Sequence, residues 1–248
     1  MSKIETIVYR CRDPHAQRAF YCDALGMTDV GDGAVGYGGD EAKLVFLPAN
    51  DRYEPRADDL YWKIALAVPN IELAHQQLTA LGVAIDTPRQ FQDVGYLTHF
   101  KDPHGFTIEL IEHWFEGQRQ AEPINPQRLG GGAHLNLLTL RTSDIAPIQQ
   151  ACDAWGMTPL SVQPVETYGF TLYFFAFTQE RPPSSDLTAL ANREWLYQRR
   201  YTVLEIQHRH QATDIGTTPD GHAGYVRTDV SHAPADFYGS ELLRFAAR

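Results

Sequence analysis

Cys22-Asp23-Ala24-Leu25-Gly26-Met27-Thr28 returns as Cys152-Asp153-Ala154-Trp155-Gly156-Met157-Thr158, one substitution in seven at an offset of 130 (152 − 22). A repeat of this kind means that the chain is built more than once from one sort of unit, and that function lies in how the copies differ. Around the first copy, residues 4–11 alternate and are rich in β-branched and aromatic side chains, which predicts a strand. Asp13-Pro14 then reads as N-cap and first helical residue, Ala19, Phe20, Ala24 and Leu25 as the buried stripe, and Gly26 as the stop. Glycines at 31, 33, 36, 38 and 39 mark tight turns, and an apolar strand over 43–47 closes at Pro48.

The order strand, helix, three strands then repeats. Residues 61–68 read as a strand, 71–81 as a helix ended by Gly82, and three strands follow near 87–91, 96–100 and 106–111, the last two joined by an Asp102-Pro103-His104-Gly105 turn. Residues 116–133 are polar, hold Pro123 and Pro126, and end in three glycines, the best linker in the chain. A third unit starts at His134, carries the second heptapeptide copy at the end of its helix, and holds an insertion over 178–200. A fourth begins near Gly221 and has room for one strand and one helix, residues 233–247. The domains expected are therefore 1–115, with two units, and 134–248, with one unit and a truncated one.

At 248 residues, 43% hydrophobic and 21% charged, the composition is that of a globular chain with ample core. A net charge of −10 argues against nucleic acid as a partner. No apolar run is long enough for a bilayer, so no membrane partner is expected. Three cysteines make neither a disulfide framework nor a Cys-x-x-Cys pair, and with no signal-peptide run the expected location is the cytoplasm.

The repeated unit, with Phe20-Tyr21 and Leu25-Gly26 after the first strand and Asp102-Pro103-His104-Gly105 then Ile108-Glu109 before a last one, resembles the vicinal oxygen chelate superfamily of glyoxalase I, bleomycin-resistance proteins and extradiol dioxygenases. The second half is most similar to glyoxalase I, through 170–176, 203–208 and Pro219-Asp220-Gly221-His222. The resemblance implies an α+β fold of tandem βαβββ modules curling into half-open barrels, the fourth truncated. It also implies a divalent metal (Zn, Ni, Mn or Fe) held by inward residues on the first and last strands of each module, where it binds two substrate oxygens as a Lewis acid.

Carried over position by position, the first barrel would hold Thr6, Val45, Lys63 and Glu109. Valine offers no ligand atom and an ammonium repels a cation, so Lys63 and Glu109 read as an ion pair standing where the metal would be. Arg10 and His99 should also point inward. The second barrel offers Glu205 and His222 as metal ligands, with Asn136 (or Leu137, one register step away) and His134 as weaker neighbours. Arg209 falls where the resembled enzyme has a glutathione-contacting asparagine. Sequential pairing of the modules keeps Glu205 with His222; pairing one with four and two with three would instead set Lys63 beside Glu205. The roles that follow are catalysis by Glu205 and Glu109, substrate binding by Thr6, Arg10, Lys63, His99, Asn136 and Arg209, and metal binding by Glu205 and His222. The functional expectation is a glyoxalase-type lyase or isomerase acting on a small oxygenated metabolite or thiol adduct. A non-catalytic small-molecule-binding protein is the alternative, and a ring-cleaving dioxygenase ranks third. A homodimer would cover the edge left by the short fourth module.

Overall fold

The computed structural model describes residues 2–121, 123–212 and 214–232 and the backbone of Phe245–Ala246. In the first module, β1 (Lys3–Cys11) feeds α1 (Pro14–Asp23), whose cap Asp13 accepts the Ala16 N–H at 3.0 Å while Pro14 stands where no donor is needed. Gly26, at φ +72°, turns the chain toward β2 (Thr28–Asp29), β3 (Val35–Gly36) and β4 (Lys43–Pro48). Gly156 repeats that turn at φ +75°. Leu25 and Met27, like Trp155 and Met157, are buried against the same core, so the heptapeptide recurs because it packs.

The second module comprises β5 (Tyr61–Val68), α2 (Ile71–Ala80), β6 (Arg89–Phe91), β7 (Gly95–Lys101) and β8 (Thr107–Glu112). The third comprises β9 (His134–Thr142), α3 (Ala146–Ala154), β10 (Thr158–Val165), β11 (Phe170–Ala176), α4 (Ala191–Tyr197) within the insertion, and β12 (Val203–Arg209). The fourth shows β13 (Gly224–Ser231) and β14 (Phe245–Ala246). Most of the helix expected over 233–247 falls outside the described residues; at 245–246 the chain is strand. β14 pairs parallel with β13, as β4 does with β1, β8 with β5 and β12 with β9, so the fourth module keeps a short last strand that the sequence reading had counted as lost.

The modules do not pair in sequence order. One sheet runs β14-β13-β1-β4-β3-β2 and the other β10-β11-β12-β9-β5-β8-β7-β6. Module one therefore joins module four through antiparallel β1 and β13, and module two joins module three through antiparallel β5 and β9. This overturns the sequential pairing, and the buried charges give the reason. Lys63 on β5 is 1% exposed and needs anions; only this pairing brings both Glu109 and Glu205 to it. Sequential pairing would leave Lys63 with Glu109 alone and Glu205 without the lysine.

Module two is tied to module one by Asp102 of the Asp-Pro turn. Its Oδ1 accepts the N–H groups of His104 (2.9 Å) and Phe106 (3.0 Å), and its Oδ2 accepts from the Tyr21 hydroxyl (3.1 Å) and the Gln17 amide on α1. Burial pushes this carboxyl up to about 6 despite those donors. Among the described residues, no helix is long and apolar enough to cross a membrane.

Candidate functional site

β5, β7 and β8 of module two face β9, β11 and β12 of module three across a cavity of about 250 Å³. Alternation along each strand sends every second side chain into it. Its walls are apolar, from Val94, Leu97, Ile111, Leu137, Phe170 and Leu172. The insertion supplies Tyr197, fully buried on α4, whose hydroxyl donates to the Val94 carbonyl at 2.9 Å. At the mouth, Phe91 and Tyr168 meet from opposite modules with ring centroids 5.1 Å apart.

The floor is a buried ion cluster. Lys63 Nζ donates to Glu109 Oε1 at 2.9 Å, Glu205 Oε2 at 2.7 Å and Thr139 Oγ1 at 3.0 Å, and Thr139 donates in turn to Glu205 Oε2. An ammonium has three protons, so Lys63 has none left. His99 Nε2 lies 2.9 Å from Glu109 Oε2 and its ring lies near Trp62, which also carries Lys63 Nζ 5.0 Å and the Arg141 guanidinium 5.3 Å from its centroid. Burial alone would raise the Glu109 carboxyl; Lys63, with His99 behind it, outweighs that and holds it low. At Glu205 burial wins, helped by the negative Glu109, and the carboxyl is pushed up although Lys63 opposes it. Burial would strip Lys63 of its proton, but the two carboxylates keep it charged.

Of the residues singled out in the sequence, Lys63, His99, Glu109 and Glu205 come together here. The others do not. Thr6 and Arg10 lie on β1 in the other sheet, opposite Asp229 and Gly224 of β13. Asn136 turns away, its amide donating to the Leu196 and Arg199 carbonyls; Leu137, one step along β9, takes the inward place. Arg209 lies past the cavity and donates to the Ala57 carbonyl. His222 sits before β13, largely exposed, with Nδ1 2.7 Å from Asp51 Oδ2, so the metal pair expected of Glu205 and His222 is split between the two sheets. Sequence reasoning missed Thr139, Trp62, Tyr197 and Gln207. Thr139 and Gln207 were within reach, each two residues from an inward position on its strand; Tyr197 sits in an insertion with no repeat to align it.

The metal that the resemblance implies does not fit these residues. The four inward positions carry Lys63, Glu109, Leu137 and Glu205: an ammonium lies between the only two ligand carboxylates, and leucine offers no donor atom. Among the described residues, no three His, Cys, Asp or Glu side chains are placed to share a metal ion.

Residues 3–110 match the family model of the Glyoxalase/Bleomycin resistance protein/Dioxygenase superfamily. Glyoxalase I from Zea mays is a solved structure similar over 93% of this chain and 74% of its own, with a TM-score of 0.64 at 20% identity. A putative dioxygenase from Bacillus subtilis is similar over 92% and 69%, with a TM-score of 0.57 at 15% identity. None of the curated proteins matches the sequence. Residues 3–110 thus match that superfamily's model, and the chain as a whole shares the fold of these solved structures. Identities this low carry the architecture and leave the reaction to the site.

Proposed function

We propose that this chain is a small-molecule-binding protein of the glyoxalase fold that works without a metal ion, holding its ligand in the cavity between modules two and three. The observation that carries the reading is Lys63, standing at an inward ligand position with all three protons engaged by Glu109, Glu205 and Thr139. A lyase of glyoxalase type has to stabilise an enediolate, and this floor offers an oxyanion two carboxylates and no free proton of Lys63. The apolar walls and enclosed floor suit a compact, largely apolar molecule.

One observation favours a second reading, proton transfer on a small oxygenated metabolite. Glu205 has a raised carboxyl beside an open cavity, which is how a general base is tuned. A single assay separates the two. The binding reading predicts no turnover of a 2-oxoaldehyde–thiol adduct, with or without added nickel or zinc. Turnover that Glu205→Gln abolishes would replace it with the lyase or isomerase reading.

A further inference from the structure

Two neighbouring inward residues of β12 each leave a hydrogen-bonding atom open, and the two atoms are of opposite kind. Glu205 Oε2 accepts from Lys63 and Thr139, whereas Glu205 Oε1 meets no donor among the described residues and borders the cavity. Both Glu109 oxygens are approached, one by Lys63 and one by His99. Glu205 Oε1 is therefore an open acceptor on the floor, with no donor brought to it. Two residues along β12, on the same face, Gln207 Oε1 accepts from Arg141 Nε at 2.9 Å. A guanidinium can only donate, so this bond fixes which end of the amide is oxygen. Gln207 Nε2 is left open toward the cavity, with no acceptor among the described residues. Residues i and i+2 on a strand are about 6.5–7 Å apart.

Resting on the binding reading above, we infer that the ligand is a compact aromatic molecule with a hydroxyl or N–H donor at its buried end, given to Glu205 Oε1, and a carbonyl-type acceptor at its outer end, taken from Gln207 Nε2. The strand spacing of the two residues is of the same order as the reach between para substituents on one ring. A cavity of about 150 Å³ holds benzene, and this one, at about 250 Å³, leaves room for a ring with two such groups. The recognition reverses that implied by the family resemblance: the floor accepts a hydrogen bond from the ligand instead of offering a cation to its oxygens. Carboxylate ligands are disfavoured at the floor by Glu109 and Glu205.

The test is a titration of the whole wild-type protein, by calorimetry or ligand-observed NMR, with 4-hydroxyacetophenone, 4-methoxyacetophenone, 4-ethylphenol and 4-ethyltoluene. 4-Ethyltoluene, in which a methyl of similar size replaces the hydroxyl, should bind at least about 10-fold more weakly than 4-ethylphenol, as expected for a hydrogen bond to a charged group, and the methyl ether should likewise bind more weakly than 4-hydroxyacetophenone. 4-Ethylphenol, which keeps the donor and loses the acceptor, should bind about 3- to 10-fold more weakly than 4-hydroxyacetophenone. Gln207→Leu should erase that second difference and leave the first. If all four bind equally, or the methyl ether binds better, the cavity is a binding site and the donor assignment is wrong. If none binds, not even 4-ethyltoluene, the binding reading falls with it.

Discussion

Replacing Lys63 by methionine leaves Glu109 and Glu205 facing each other in a dry site. Their oxygens lie 2.9 and 2.7 Å from the one nitrogen, so they are no more than about 6 Å apart, and two full charges at that distance repel by roughly 3 kcal/mol at an effective dielectric constant of 20. Thr139 loses the donor it accepts from, and each carboxylate keeps its desolvation cost. Breaking a buried pair costs about 3–5 kcal/mol, and Lys63→Met at pH 8 should fall in that range. The loss should shrink at pH 5. Without the ammonium both carboxyls move up, so the folded variant binds a proton that its unfolded chain, with glutamates near 4.3, has already released. Stability that the variant has at low pH is thus lost as pH rises through the raised carboxyl value. Wild type keeps Lys63 charged throughout and Glu109 low, which leaves only Glu205 to titrate upward of its ordinary value. Urea denaturation of both proteins at pH 5 and 8 measures the effect. A loss under about 1 kcal/mol at pH 8, or an equal loss at both pH values, would refute the buried ion cluster.

Thr139→Val strips one acceptor from Lys63 and one donor from Glu205 without changing shape, and should cost about 1–3 kcal/mol in the same denaturation assay; no change would mean that the hydroxyl is dispensable. Asp102→Asn should flatten the pH profile of stability. The native carboxyl, raised to about 6, holds a proton that the unfolded chain releases near 3.9, so wild type loses roughly 3 kcal/mol between those values and the amide does not. Gln17 can turn its unbonded Oε1 toward the new amide, and parallel profiles for the two proteins would contradict this. His222→Ala, on the other sheet from the cavity, should leave 4-hydroxyacetophenone binding within about two-fold; a larger loss by titration would reconnect His222 to the site.

The module was legible because its signals are local. Asp13-Pro14, Gly26 with its echo at Gly156, and the Asp102 turn each act through neighbouring backbone, and each formed as read. Pairing was not local. The heptapeptide marks a helix end in two modules and says nothing about which module each joins, since Leu25 and Trp155 are buried in one shared core. Lys63 carried that information. A lysine on an otherwise apolar strand needs more counter-charge than Glu109 alone, and Glu205, buried on its own apolar strand, needs a cation. Weighing those two needs together favours the pairing that formed over the one that kept Glu205 with His222. An offset count leaves Asn136 and Leu137 both open, because it cannot resolve one residue when strand faces alternate at every residue; the structure puts Leu137 inward.

The most direct test of an ammonium in place of a metal is divalent-cation binding by wild type and by Lys63→His. Wild type should show no zinc or nickel binding that depends on Glu205. Lys63→His removes the ammonium and sets an imidazole beside two carboxylates, a three-ligand set for which one equivalent of metal is expected, lost again when Glu205→Ala is added. Wild-type protein that takes up one equivalent of metal through Glu109 and Glu205 would contradict the account.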